Sequence, residues 1–384
     1  MKNDKVFFPG LNSLRAIGAF TVFVGHIELL RQDFGFRNHM DIPFYTTTSG
    51  HLGVILFFVL SGFLITYLLL EEKIRFRNIS LGKFYIRRIL RIWPIYYLML
   101  LLAFFIFPSI FPDYPGKNSL HFWPKLLLCI FFLPNLSLAM FGGMPGASHL
   151  WSIGVEEQFY FMWPAIIEKV LSKLLPVLLF IFVSISLMPH FTDWVFVHYF
   201  GSEQWVKTHE VVRDFFVGFK INSMALGAIC ALLCHQKKES ILRIIYNPIV
   251  ETTVFVGTLA LWFSGFHLRI FNDEFYSTLF ALIIVNVATN PKPIIGLKSK
   301  LLDFFGTISY GFYVYHWLII LACFTLIKRF SNADFENSFG FDVLAYLFPF
   351  VITSLVSYTS FHYFEQRILQ YKSKFTRVLS GSED

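Results

Sequence analysis

Residues 51–70 read HLGVILFFVLSGFLITYLLL, twenty positions without Asp, Glu, Lys or Arg, and residues 71–78 then read EEKIRFRN. At 1.5 Å rise per residue, twenty apolar residues cover the ~30 Å hydrocarbon core of a bilayer. The charged octet marks where such a helix returns to water. The composition extends this reading to the whole chain of 384 residues: 55% are hydrophobic, only 15% are charged, and mean hydropathy is +0.59. A soluble domain carries about 25% charged residues to cover its surface. Much of this surface therefore faces lipid, and the 8 Trp and 17 Tyr are residues suited to headgroup depth.

Apolar runs long enough to span fall near 11–30, 51–71, 84–107, 121–139, 152–170, 174–190, 211–235, 248–267, 275–290, 304–327 and 341–366. The first follows a short polar opening and exceeds signal-peptide length, so it reads as a retained helix. Lys and Arg gather at Lys73–Arg91, Lys237–Arg243, Lys292–Lys300 and Lys372–Arg377, with weak support from Lys2 and Lys5. By the positive-inside rule these sites, and both termini, are cytoplasmic. Two cytoplasmic termini require an even number of crossings. The short run 121–139, which carries Pro124 and Pro134, is the one to demote. The expectation is an all-α bundle of about ten spans plus a re-entrant or interfacial segment. Residues 1–370 form one membrane domain, and 371–384 form a short cytoplasmic tail, disordered beyond about residue 370. The net charge of +7 fits cytoplasmic loops rather than a nucleic-acid surface. Cys129, Cys230, Cys234 and Cys323 lie in or at the ends of apolar runs and read as small packing residues. Cys230, Cys234 and His235 lack a further ligand at metal spacing, so no metal is expected.

Ionisable groups inside a bilayer are costly and mark functional candidates. The first helix holds Arg15 and His26, eleven residues apart, on one face and about 16 Å apart along the axis. An Arg reaching to the interface and a His capping the far end would look the same. Ser61 and Gly62 allow a neighbouring helix close, or line a channel. Arg87, Arg88 and Arg91 are either a positive-inside anchor or a guanidinium cluster for phosphate, which Arg grips with paired donors. On the fifth run Ser152, Glu156 and Phe159 share one face with Trp151 and His149 nearby, a polar cluster, although the adjacent carboxylates of Glu156 and Glu157 could also stabilise a helix N-terminus. Ser309, Tyr313 and His316 form a stripe in the tenth. Residue chemistry alone leaves open an enzyme, a transporter or flippase of lipid-linked sugars with a proton relay, and a sugar polymerase.

Five words in order resemble the acyltransferase 3 family of membrane O-acyltransferases. They are Arg-x10-His (Arg15 to His26), Gly-x-x-x-Phe-Phe-x-x-Ser-Gly-Phe (Gly53 to Phe63), Phe-Tyr-x-Arg-Arg-x-x-Arg-x-x-Pro (Phe84 to Pro94), Trp-Ser-x-x-x-Glu-x-Gln-Phe-Tyr (Trp151 to Tyr160) and Ser-Tyr-x-x-Tyr-x-x-His (Ser309 to His316). Two places depart from the family pattern: Trp317-Leu318-Ile319 where a Pro usually follows the late His, and Glu365-Gln366-Arg367 near the end. Many relatives carry a fused extracytoplasmic esterase-like domain. This chain stops at Asp384, with the expectation that acceptor delivery comes from elsewhere or from free substrate.

The resemblance implies an O-acetyltransferase of the bacterial cytoplasmic (inner) membrane, taking an acetyl or other short acyl group from cytoplasmic acetyl-CoA to a hydroxyl of an extracytoplasmic or lipid-linked carbohydrate. His26 is expected either as the base in direct transfer or as the carrier of the acyl group, with Glu156 orienting its ring or stabilising its cation and Arg15 at the pore mouth. Arg88, Arg91 and Arg87, with Ser61 and Gly62, are expected at the donor. Trp151, Ser152, Glu157, Tyr160, Tyr313 and His316 are expected along the channel. The partners are acyl-CoA, a carbohydrate or glycolipid acceptor and membrane lipid, with no nucleic acid.

Overall fold

A computed structural model describes residues 5–111, 120–144 and 146–379. Among these the regular structure is helical throughout. Helix α1 (Leu11–Asp33) is followed by α2 (Ser49–Phe76), which stops where Arg77 turns left-handed (φ 59°). Next comes α3 (Leu81–Leu101), continued by a π-turn and a short helix to Ile110. Two short helices, α4 (Phe122–Ile130) and α5 (Pro134–Phe141), precede α6 (Trp151–Val170) and α7 (Leu174–Val195). The bundle continues with α8 (Glu203–Gly218), α9 (Ile221–His235) and α10 (Glu239–Ile245). It closes with α11 (Pro248–Phe263), α12 (Asn272–Thr289), α13 (Lys300–Phe330), α14 (Phe339–Ser360) and α15 (Gln366–Lys372).

Local chemistry sets several boundaries. The side chains of Asn247, Ser299 and Ser338 accept from the backbone N–H groups of Ile249, Leu302 and Phe341, satisfying donors that a helix start leaves orphaned. Pro248 follows Asn247 at the first helical position, where its missing N–H costs nothing.

Seven helical units among the described residues are long and apolar enough to cross a membrane, or eight if the α10–α11 pair, bent by 56°, counts as one span. The difference from ten arises at three places. Runs 152–170 and 174–190 join into one 53-residue unit, Ser148–Phe200. As a straight helix that unit would be about 80 Å long, more than twice the hydrocarbon core. The α11 run counts only with its bent partner. The α12 run opens with Asn272, Asp273 and Glu274, which lowers its hydropathy. The run 211–235 is divided at Phe219–Lys220 between α8, which buries no residue, and α9, which is mostly buried. The run 121–139 is two helices of 9 and 8 residues, about 13 and 12 Å, each too short to span. Their turn at Phe132 (φ 58°) stacks on Tyr96, well inside α3, so the hairpin dips into the bundle.

Ion pairs sort the connections into two ends. Lys73 bonds Glu168 (2.6 Å), His235 meets Glu71 (3.1 Å), and Arg87 bonds Glu72 (3.2 Å) and the carbonyl of Phe375 (2.7 Å). At the other end Arg31, fully buried, pairs with Glu28 and Asp342, while His51 and Lys220 both bond Asp273. The basic connections after α2 and α9 therefore share one end with the C-terminal segment. That segment corrects one expectation. Residues 371–379 are packed rather than disordered: Arg377 bonds Asn78 (2.9 Å), the N–H of Val6 donates to the Leu379 carbonyl (2.8 Å), and Val378 is buried. Lys2 and residues 380–384 lie outside the described residues.

Two glycines bring α2 and α9 into backbone contact. A Cβ on Gly62 would sit 2.0 Å from the Met224 carbonyl oxygen, and one on Gly227 would sit 2.1 Å from that of Val59. Neither backbone can give way cheaply, because each belongs to a packed helix. Gly62→Leu is expected to cost more than the ~1–3 kcal/mol of ordinary overpacking and to remove the monodisperse peak in detergent gel filtration. A variant that elutes and melts like the wild type would mean the helices are not this close.

Candidate active site

Helices α1, α2, α3, α6, α13 and α15 surround a cavity of about 370 Å³ at the basic end of the bundle. Its wall carries four cationic side chains, Arg15, Arg88, Arg91 and Lys372, and one carboxylate, Glu156. Glu156 accepts from Ser61 Oγ (2.8 Å). Arg15 bonds Asn12 Oδ1 (3.0 Å). Arg88 lies over the faces of Tyr160 (5.4 Å) and Phe84 (5.6 Å), and its buried Nε has no hydrogen-bond partner. Three guanidinium groups and an amine against one carboxylate leave the cavity electropositive, with donors free for an anion.

The helical stripes read from the sequence converge here. Ser61 on α2, Ser152, Glu156 and Tyr160 on α6, and Ser309 and Tyr313 on α13 all line the cavity. Its inner limit is a polar partition. Tyr313 Oη lies 2.6 Å from Ser152 Oγ and donates to the His149 carbonyl (2.9 Å).

Beyond the partition lie three histidines. His316 Nδ1 is 2.6 Å from the Tyr313 carbonyl, which can only accept, so that nitrogen carries the proton. In neutral His316, Nε2 is then an acceptor, and His26 Nδ1–H donates to it at 2.7 Å. Nε2 of neutral His26 is left with a free lone pair. His149 Nε2–H donates in the same way to the Val314 carbonyl (2.9 Å), and its Nδ1 is buried without a partner. Trp317 stacks on His149 (5.8 Å) and sets its edge against His26 (4.5 Å). His26 keeps a partly exposed edge. A Cβ on neighbouring Gly50 would come into ordinary van der Waals contact with Gly25, Val22 and His26 Cδ2 at 3.9–4.0 Å.

Several expected site residues stand elsewhere. Gly62 packs against α9 and lines no part of the cavity, which corrects its placement at the channel wall. Glu156 bonds Ser61 rather than His26, and the group that orients His26 is His316. The carboxylate sits in the cationic cavity because Ser61 and Glu156 face each other across α2 and α6. Arg87 is held by Glu72 and the Phe375 carbonyl and borders a second cavity. Glu157 accepts from Trp93 Nε1 (2.9 Å), and Trp151 packs on Phe58; neither lines the cavity. Two residues were not assigned to the site from the sequence. His149 was visible three positions before Ser152, hence on the same helical face. Lys372 stands in no motif and read only as a topological charge. Among the described residues no cluster of three or more His, Cys, Asp or Glu is arranged to hold a metal ion.

Fold and site together define a membrane-embedded helical bundle that holds a cationic cavity against a histidine pair with one free imidazole nitrogen. The chain belongs to the acyltransferase 3 family, whose acyltransferase domain matches residues 8–360. It is 27% identical over 385 residues to the O-acetyltransferase OatA of Staphylococcus aureus, covering 94% of this chain and 57% of that protein. It is 25% identical over 337 residues to the peptidoglycan O-acetyltransferase OatA of Listeria monocytogenes, covering 83% and 50%. Over 391 residues it is 25% identical to the putative peptidoglycan O-acetyltransferase YrhL of Bacillus subtilis, covering 94% and 55%. The chain thus spans a little over half the length of these relatives. No solved structure matches it.

The proton assignments are open to direct measurement. Solid-state NMR of ¹⁵N-histidine-labelled protein near pH 8 is expected to show His26 and His316 protonated at Nδ1, and His149 at Nε2. A proton on His26 Nε2 instead would remove the free base and contradict the hydrogen-bond direction derived above.

Proposed function

We propose that the protein is a membrane O-acyltransferase that moves an acetyl or other short acyl group from cytoplasmic acyl-CoA to a hydroxyl of an extracytoplasmic or lipid-linked carbohydrate. The observation that carries the proposal is the pairing of an electropositive cavity with an imidazole base just beyond its inner limit. The curated relatives whose names give an acceptor act on peptidoglycan, so a cell-wall glycan is the first acceptor to try.

The basic connections share an end with the cavity, and the positive-inside rule supports a cytoplasmic position for that end. Ten crossings, with α1 starting at this end and α14 returning to it, satisfy that orientation. The phosphates of CoA carry several negative charges and stay at the basic end of the cavity, at Arg88 with Arg91 beside it, while Arg15 stands further along the wall. The slender pantetheine arm runs inward past Ser61 and Tyr160 to the Ser152–Tyr313 partition. Rotation of the Tyr313 hydroxyl away from Ser152 lets the thioester reach His26.

His26 Nε2 then takes the proton of the acceptor hydroxyl as its oxygen attacks the thioester carbonyl. The C–S bond breaks, the acyl–oxygen ester forms, and the proton on His26 passes to the departing CoA sulphur. His316, held by the Tyr313 carbonyl, fixes the His26 tautomer throughout. It acts as a positioning residue, as a carboxylate does in hydrolytic triads.

His26→Gln is expected to lower acetyl transfer by about 100-fold or more while CoA still binds, since a positioned base contributes on the order of 10²–10⁴. Transfer assays beside binding isotherms separate the two, and retention of a tenth or more of activity would exclude the base role. Arg88→Lys and Arg91→Lys keep the charge but lose the paired donors, so each is expected to weaken acetyl-CoA binding several-fold without altering topology. Binding as tight as the wild type would leave these arginines as topological anchors.

A further inference from the structure

A second cavity, of about 230 Å³, lies beside the first and is lined by Glu72, Phe84, Arg87, Ser373, Thr376 and Leu379 among others. Five residues line both chambers: Ile65, Leu68, Arg88, Leu369 and Lys372. Three of them are apolar, so the junction between the chambers carries two cations on a greasy collar. Arg88 comes from α3 and Lys372 from the last turn of α15. The outer chamber reaches the protein surface at Ser373 and Leu379, which are exposed. The carboxylate of Glu72 in its wall is already engaged by Arg87 (3.2 Å) and Arg377 (3.5 Å).

We propose that the C-terminal segment 366–379 completes a two-chamber acyl-CoA site, with Lys372 and Arg88 at the junction gripping the diphosphate, the nucleotide half in the outer chamber and the pantetheine arm in the inner one. The proposal rests on the acyl-CoA reading above and adds to it a binding residue and a wall of the site. Lys372 lies beyond the residues 8–360 that match the family's domain, so nothing in the family pattern assigns it. The chemistry of the ligand has the same order as the chambers: a charged nucleotide outside, a doubly anionic diphosphate at the junction, and a slender neutral arm inside. The segment is tied in place at three points. Arg87 bonds the Phe375 carbonyl, Arg377 bonds Asn78, and the Leu379 carbonyl accepts from Val6. It is therefore a fixed wall of the site, built from residues on which the motif words are silent.

Affinities of the full-length protein in detergent for CoA and for pantetheine, which lacks the diphosphate and nucleotide, test the assignment. The wild type is expected to prefer CoA strongly. Lys372→Gln is expected to weaken CoA binding about tenfold and leave pantetheine affinity unchanged, and Lys372→Arg is expected to stay within a few-fold of wild type. Leu369→Trp narrows the junction without touching a charge and is expected to weaken CoA binding at least tenfold. It serves also if Lys372→Gln lowers the melting temperature. Lys372→Gln and Leu369→Trp variants that bind CoA like the wild type would overturn the assignment while leaving acyl-CoA as donor. A wild type that binds no CoA would overturn the donor reading itself.

Discussion

Four cationic side chains meet a single carboxylate inside a bundle whose surroundings offer few counter-charges, and the architecture around them follows from that imbalance. A buried charge is tolerated only where it is paired, solvated through an opening, or awaiting a charged ligand. The bundle uses each solution in a different place. Arg31 is paired with Glu28 and Asp342 at one end, and Arg87 with Glu72 at the other. The cations of the cavity line open space instead. The contrast separates ion-paired arginines from cavity-lining ones more sharply than residue type can.

A second constraint is that every polar backbone group inside lipid needs a partner within the protein. The histidine pair is built on it. His316 and His149 each spend one ring N–H on a backbone carbonyl of α13, and the remaining acceptor of His316 fixes the orientation of His26. Two histidines far apart in sequence, His26 and His316, become one directed hydrogen bond because helix α13 supplies a carbonyl at the right depth. Its partition from the cationic cavity uses the same economy: Tyr313 and Ser152 satisfy each other and close the wall between two regions of opposite chemistry.

Much of this was legible in the sequence. Length and hydropathy located a helix under every run, because in lipid the only alternatives to helix are costly. The stripe at Ser309, Tyr313 and His316, and the face shared by Ser152 and Glu156, followed from helical spacing. What spacing cannot supply is the partner across a helix pair. Glu156 has Ser61 for a neighbour and not His26, and Gly62 turns to α9 rather than the cavity, because both depend on how α2 is rotated between α6 and α9. The number of spans was hard to read for another reason. Hydropathy fades at Asn272, Asp273 and Glu274, where polar groups are satisfied by neighbouring helices, and the runs 152–170 and 174–190 join into one helical unit. Lys372 was invisible as a site residue because a lysine in a basic tail has the same one-dimensional appearance whether it faces water or closes a cavity.

The account stands on a donor held at the basic end of the bundle and an acceptor reached from the other. Sealed inside-out membrane vesicles, carrying the acceptor glycan within and supplied with radiolabelled acetyl-CoA outside, test this most directly. The account predicts labelled, ester-linked acetate on the enclosed acceptor, dependent on His26 and absent when acetyl-CoA is trapped inside with the acceptor. Labelling only when donor and acceptor share the same compartment would contradict it.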